Sequence, residues 1–288
     1  MTFHEWLWRL ISNLGMLIRR GHSHGRLGII RAYVRIELKR FFLAHLLNHK
    51  MTTESIFGYR VHFYDYETFA ILFEEVYVPD VYYFSASSQE PVVIDCGSNI
   101  GMAVLYFKHL YPRCKITAFE ADEVTFKLLE RNVSTNGLEN VTLVNKAVYD
   151  SKGTVTFYFS PDRPGSLVGS TRRESLAKSE AKTVETEILS EYIAEEVDFL
   201  KMDIEGAEEK VIKNLLEADK LALVKETVIE YHHHLTPEED RLGGFLEMFE
   251  SCKFGYQIKA PLVPPFHKGE FQGFLIYGYR RNGMSCPG

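Results

Sequence analysis

Cysteine is scarce in this 288-residue chain. The four present, Cys96, Cys114, Cys252 and Cys286, lie far apart and form no CxxC pair. Neither a zinc site nor a disulfide framework is indicated, and a reducing, cytoplasmic setting is expected. No apolar run approaches the ~18 residues that would read as a membrane-crossing helix. The start is not expected to be a signal peptide, because Glu5 and Arg9 interrupt it and no small-residue cleavage site follows. Internal repeats and low-complexity tracts are lacking too, which argues against solenoids and disordered arrays.

What is present suits a soluble globular chain. Hydrophobic residues make up 45% and charged residues 25%, enough apolar material for a sizeable core. The net charge of −6 is unevenly spread. The first 50 residues carry nine basic side chains and only the acids Glu5 and Glu37, a balance of +7 against −13 for the remainder. A basic arm on an acidic body suggests that the two ends face different surroundings.

The arm, residues 1–90, is expected to be a helical N-terminal extension with a small hairpin. Phe3, Trp6, Leu7, Leu10, Ile11, Leu14, Leu17 and Ile18 recur at helical spacing over residues 3–20, and a second helical pattern spans about 27–48. Two short strands meet at Gly58, and a short helix over 66–76 stops before Pro79. From residue 91 to 288 strands and helices alternate. Strands are expected near 92–95, 115–120, 141–145, 197–203 and 222–230, with helices between them, and 154–159 and 183–188 read as an inserted hairpin. Segments 254–259 and 271–279 close the chain as two strands without a helix between them, so they must run antiparallel. The fold class is therefore α/β: a Rossmann-like, mostly parallel seven-stranded sheet with an antiparallel last strand, plus the helical N-terminal extension.

The chemistry concentrates in the stretch Val92 to Gly101. An apolar strand runs into a glycine turn that opens a helix, which is where open α/β sheets bind ligands. Gly97 permits a backbone shape that a Cβ would block, and Gly101 lets the helix start pack closely. The spacing is not the dinucleotide GxGxxG fingerprint. Asp95 at the strand end would repel a phosphate but suits the amino end of S-adenosylmethionine, although an ordinary strand-to-helix turn would look similar. Glu120 ends the second strand 25 residues beyond Asp95, placed to accept hydrogen bonds from two ribose hydroxyls. Ser98, Asn99, Ala121, Asn145 and Ala147 complete the expected cofactor-binding set, the last two where an adenine ring would lie.

Three pieces resemble the FkbM family of methyltransferases: Val93 to Gly101, Ala118 to Ala121, and the string Leu200-Lys201-Met202-Asp203-Ile204-Glu205-Gly206-Ala207-Glu208. The resemblance covers about residues 91–280, with Asn145 to Ala147 and Gly165 to Leu167 as less specific parts. It implies S-adenosylmethionine as methyl donor and a hydroxyl on a sugar, glycan or natural-product small molecule as acceptor. The basic arm lies outside the pattern.

Methyl transfer to an alcohol needs alignment, exclusion of water and removal of a proton. Asp203 and Glu205 follow the fourth strand, and Glu230 and His232 end the fifth; within each pair the shared parity lets both face one cleft. His232 is the preferred general base, because imidazole titrates near neutrality. Glu230 would orient it or steady the cofactor. The same four residues could instead hold Mg²⁺ or Mn²⁺, and metal-free chemistry is favoured over that because the paired Asp-Asn of metal-dependent catechol-type enzymes is lacking. Asp203 and Glu205 also suit the start of the following helix. Residues 160–173 form a glycine- and serine-rich loop whose Arg163, Arg172 and Arg173 could meet an anionic acceptor or simply be solvated. For the arm, a helical cap or homo-oligomer interface is favoured over peripheral membrane contact through residues 1–50, and nucleic acid is not an expected partner. Two other readings compete with the enzyme: a non-catalytic cofactor-binding scaffold with a membrane- or partner-binding arm, and a nicotinamide oxidoreductase, which lacks the third glycine here.

Overall fold

In a computed structural model, residues 3–19, 25–45, 51–159, 180–233, 241–260 and 272–281 are described. The arm forms α1 (Phe3–Arg19) and α2 (Arg26–His45), then the antiparallel hairpin β1 (Thr53–Ile56) and β2 (Tyr59–His62), and α3 (Tyr66–Tyr77). Asp65 caps α3, accepting from the Thr68 backbone N–H at 2.8 Å. The inward faces of α1 and α2 pack together: the Trp6 indole donates to the Glu37 carbonyl, and Asn13 donates to both Tyr33 and Glu74. Arg9 pairs with Glu74, Lys39 with Glu54, and Arg40 with Glu37 and Glu67, so much of the arm's charge is consumed at its own seam. The β1–β2 hairpin is pinned by amides of the following domain, with Asn132 and Asn136 accepting from the His62 and Arg60 backbone.

From Val92 the alternation expected from periodicity builds one sheet. Its strands are β3 (Val92–Cys96), β4 (Lys115–Phe119), β5 (Val141–Val144), β9 (Val197–Met202), β10 (Val224–His233), β11 (Phe254–Lys259) and β12 (Gln272–Arg280). Their spatial order is β11-β12-β10-β9-β3-β4-β5. β12 is antiparallel to both neighbours and the remaining pairs are parallel, the Rossmann-like arrangement expected from the sequence. The crossover helices are α4 (Met102–Leu110), α5 (Glu123–Thr135), α6 (Glu208–Glu217) and α7 (Leu242–Ser251). Between β5 and β9 lies a second sheet of β6 (Ala147–Tyr149), β7 (Gly153–Phe159) and β8 (Glu180–Ile188). β7 and β8 are the expected hairpin; β6, three residues long and parallel to β8, carries no periodicity of its own.

Two apolar clusters flank the sheet. One joins Leu17, Ile29, Tyr33 and Ile36 of the arm to Phe69, Phe73 and Tyr77 of α3 and to Val104 and Phe107 of α4. The arm thus shares a continuous core with the α/β half. The other buries Val211, Ile212, Phe245 and Phe249 of α6 and α7 against Ile94, Leu200 and Ile229. β10 runs three residues past its expected end at Glu230, which keeps His232 and His233 within the sheet. That extension is held by β12, whose Gly273 lies opposite His232. A Cβ on Gly273 would come 3.1 Å from Glu230 Oε1.

Candidate active site

The site assembles at the carboxyl ends of β3, β4, β9 and β10, where parallel strands release their loops side by side. Its tightest contact joins the loops after β3 and β9. Gly97 has φ 82°, and a Cβ there would stand 1.8 Å from the Asp203 carbonyl oxygen. The Asp203 N–H donates to the Cys96 carbonyl at 3.0 Å, and the Gly97 and Ser98 N–H groups both donate to the Phe119 carbonyl. Only glycine allows this approach. Gly101 (φ 89°) does the same for α4, with Leu129 Cδ1 2.6 Å from its missing Cβ.

Lys201 ties the loops together from below. It donates to the Gly97 carbonyl and lies 3.3 Å from Asp95 Oδ1 and 6.0 Å from the centre of the Tyr82 ring. Burial works against its charge, but Asp95, Tyr82 and Asp203 outweigh burial and hold the ammonium protonated. The sequence expectation aimed Asp95 at the amino end of a ligand; in the ligand-free chain its neighbour is Lys201. Asp95 is wholly buried beneath the loop, and its nearest charge is Lys201.

Glu120 accepts from the Asn99 N–H at 2.9 Å and the Asp122 N–H at 2.8 Å, so both hydrogen-bond partners are neutral backbone groups. Burial pushes its carboxyl up to about 7. Asn99 holds a left-handed φ of 49° to present that N–H. Asn145 donates to the Glu120 and Ala121 carbonyls, bracing the loop on which Glu120 sits. Ala147 is buried in β6, paired with Thr186.

At the reacting end, the turn after β9 is left-handed at Glu205 (φ 56°) and Gly206 (φ 105°). This turn brings Glu205 Oε2 to 3.2 Å from His232 Nε2. Glu208, at the start of α6, lies 2.8 Å from His232 Nδ1 and also accepts from the Gly206 N–H. A carboxylate at each ring nitrogen makes both of them donors. Burial opposes the imidazolium, but Glu208, Glu205 and Asp203 prevail and hold it well above its usual range. His232, the general base expected from the sequence, thus has a carboxylate at each ring nitrogen, an arrangement that favours its charged form. Burial raises Glu205, against the pull of His232, and pushes Glu230 up to about 7 with Asp203 adding to it. Asp203, Glu205 and His232 each bring one ligand atom within 4.8 Å of the others, a set able to hold a divalent cation.

Glu208 was quoted in the sequence string but given no role, and Tyr82 and Glu75 escaped the sequence reading. Glu75 on α3 is a carboxyl pushed up to about 7 by burial, with Glu230 and Asp203 adding to the rise. Glu208 had a signal: an acid in the first turn of a helix, three residues after Glu205. Tyr82 and Glu75 come from the arm's half of the chain and had none. His234, Gly165 to Leu167, and Arg163, Arg172 and Arg173 lie outside the described residues.

The description "Methyltransferase FkbM domain" matches residues 95–258. The chain is 29% identical over 190 residues to "Methyltransferase sdnD" of Sordaria araneosa, covering 55% of this chain and 73% of that protein. It is 28% identical over 139 residues to "2-O-methyltransferase NoeI" of Sinorhizobium fredii, covering 43% and 56% respectively. Among solved structures it is similar to "Methyltransferase FkbM from Methylobacillus flagellatus KT", at 15% identity and a TM-score of 0.44, covering 74% of this chain and 54% of that one. The chain thus spans about half the length of that solved methyltransferase.

Proposed function

This chain belongs to the FkbM methyltransferase family, and we propose that it moves the methyl group of S-adenosylmethionine to a hydroxyl of a sugar, glycan or other natural-product small molecule. The observation that carries the reading is the run Glu205–His232–Glu208 past the end of β9 and at the end of β10, with His232 and Glu208 buried and Glu205 partly open. A hydroxyl must shed its proton as it becomes nucleophilic, and this run supplies a group to take it. The relative NoeI is named as a 2-O-methyltransferase, which supports oxygen as the acceptor atom.

The residues present fit the methyl donor. Glu120 is a buried carboxylate with spare acceptor capacity, suited to a ribose diol, and Ser98, Asn99 and Ala121 lie on the loops around it. The carboxylates Asp203, Glu205 and Glu230 suit a cationic sulfonium and amine. S-adenosylmethionine, when bound, supplies an electrophilic methyl group. Glu205 is the proposed proton acceptor. Its raised pKa matches a base working near neutrality, and His232 fixes its Oε2. Glu208 fixes His232 in turn, so both act as positioning residues. Glu230 is the second carboxylate, shaping the field around the acceptor. A divalent cation at Asp203, Glu205 and His232 would take the place of the proton between Glu205 and His232; the methyl donor is already electrophilic, so the proposed transfer asks for no Lewis acid.

The test is calorimetric titration with S-adenosylhomocysteine, beside NAD and NADP, for the native chain and Glu120→Ala. Transfer of labelled methyl to sugar-hydroxyl and amine acceptors is then scored. Binding weakened at least about tenfold by Glu120→Ala, ~1.4 kcal/mol, with alkali-stable label on hydroxyl acceptors, supports the proposal. Folded protein that binds no homocysteine product brings the scaffold reading forward, and label on amines alone removes the hydroxyl.

A further inference from the structure

The arm is apolar on two sides. Trp6 and Leu17 of α1, with Ile29, Tyr33 and Ile36 of α2, are buried in the core. The opposite face of α1 carries Trp8, Ile11 and Ile18, which are 69%, 57% and 60% exposed, and α2 adds Leu27 at 68%, with Leu38 and Phe42 also exposed. At 100° per residue, Trp8, Ile11 and Ile18 form one stripe, and Leu27, Leu38 and Phe42 another. A helix that faces water on its outer side is expected to be polar there. Contiguous large apolar side chains instead mark an interaction face.

The charge beside these stripes is mostly basic, Glu5 being the one exposed acid among the described residues of α1 and α2. Arg9, Lys39 and Arg40 turn inward to Glu74, Glu54 and Glu67. Arg19, Arg31 and Arg35 are exposed, Arg35 also donating to the Ser55 carbonyl beside Glu54. Arg31 and Arg35 flank a shallow groove along α2 lined by Val34, Leu38 and Phe42. The acidic body stands against this basic edge. Among the described residues no helix is long and apolar enough to cross a membrane. Exposed tryptophan and aliphatic residues edged by arginine, on a helix too polar to span, are what an interfacial helix needs. We infer that the outer face of the α1–α2 hairpin docks on an anionic phospholipid bilayer. Apolar side chains enter the headgroup boundary, while the arginines meet lipid phosphates and the acidic body is held away. The inference stands apart from the methyl-transfer reading.

Co-flotation of the full chain with vesicles tests it, using phosphatidylcholine alone and with about one-third phosphatidylglycerol. The native chain is expected to float with the anionic vesicles and to be released by added salt. Ile11→Glu/Ile18→Glu should weaken partitioning at least about tenfold, as should Arg19→Glu/Arg31→Glu. Circular dichroism and S-adenosylhomocysteine titration check that each variant is folded. Native protein that ignores anionic vesicles overturns the inference, as does flotation unchanged in both folded variants. A native dimer in light scattering that Ile11→Glu/Ile18→Glu converts to monomer, without vesicle binding, assigns the face to a second copy of the chain instead.

Discussion

His232 sits between Glu205 and Glu208, so removing either neighbour moves its titration in a stated direction. Glu208→Gln deletes one of the charges that hold the imidazole protonated. The His232 pKa should fall towards its ordinary range, measurable by NMR of labelled histidine. The ring also loses its anchor at Nδ1, so kcat is expected to drop by roughly 10–100-fold, the usual effect of losing an orienting partner. Glu208 lies apart from the Glu120 loop, so the KM for S-adenosylmethionine should stay within about twofold. A KM rise without a change in kcat or in the histidine titration would remove the positioning role. If chemistry is metal-free, exhaustive chelation leaves activity unchanged; loss of activity restored by Mn²⁺ would return Asp203, Glu205 and His232 to a ligand set.

At the scale of elements, the loops after β3 and β9 act as one unit. Gly97 and Asp203 are in backbone contact, and Lys201 spans from one loop to the other. Gly97→Ala forces a Cβ into the Asp203 carbonyl at a φ that L-residues rarely adopt. Neither backbone can give way without breaking the Asp203-to-Cys96 hydrogen bond. The expected cost is at least about 3 kcal/mol of stability, read by urea unfolding, together with loss of S-adenosylhomocysteine binding. Gly101→Ala shares the positive φ, but its Cβ would meet only the movable end of Leu129. It should therefore cost less, about 1–3 kcal/mol. Equal losses for the two substitutions would show that the interlocked loops are not the stiff element inferred here.

Across the whole molecule, the buried carboxylates set the pH dependence of stability. Glu120 and Glu230 titrate near 7 and Glu205 is raised as well, above the usual 4.5. Between these values the folded chain binds protons that the unfolded chain has released, so stability falls as pH rises from about 4.5 to about 7. His232 acts in the same sense. Its contribution is complete below 6.5, its ordinary value, and is lost as pH climbs through its raised folded value. Glu54, Asp122 and Glu208 are held low, and their contribution is lost on acidification below the usual carboxylate range. Maximum stability is therefore expected on the acid side of neutrality. Thermal melts of the ligand-free chain at about pH 5.5 and about pH 8 should show a Tm several degrees lower at the higher pH. A Tm that rises instead would contradict the buried acidic cluster.

Local pattern was enough for much of this protein. Strand and helix periodicity set the α/β alternation, and the helix-free end forced β12 antiparallel, because both signals live within a few neighbouring residues. The Gly97 turn, Glu120 at a strand end and the string from Lys201 to Glu208 were legible for the same reason. Packing settled the rest. Whether Asp95 faces a ligand or Lys201 depends on which loops cross above it, and no window of sequence around Asp95 contains β9. His232 reads as a free base until Glu208 arrives from α6 to occupy its second nitrogen. The N-terminal stripe looked single from the sequence. Only the seating of α1 and α2 on α3 shows that one side is consumed by the core while Trp8, Ile11 and Ile18 are left facing out. Burial and charge pairing between distant segments are properties of the assembled chain, and that is where the chemistry of this site is made.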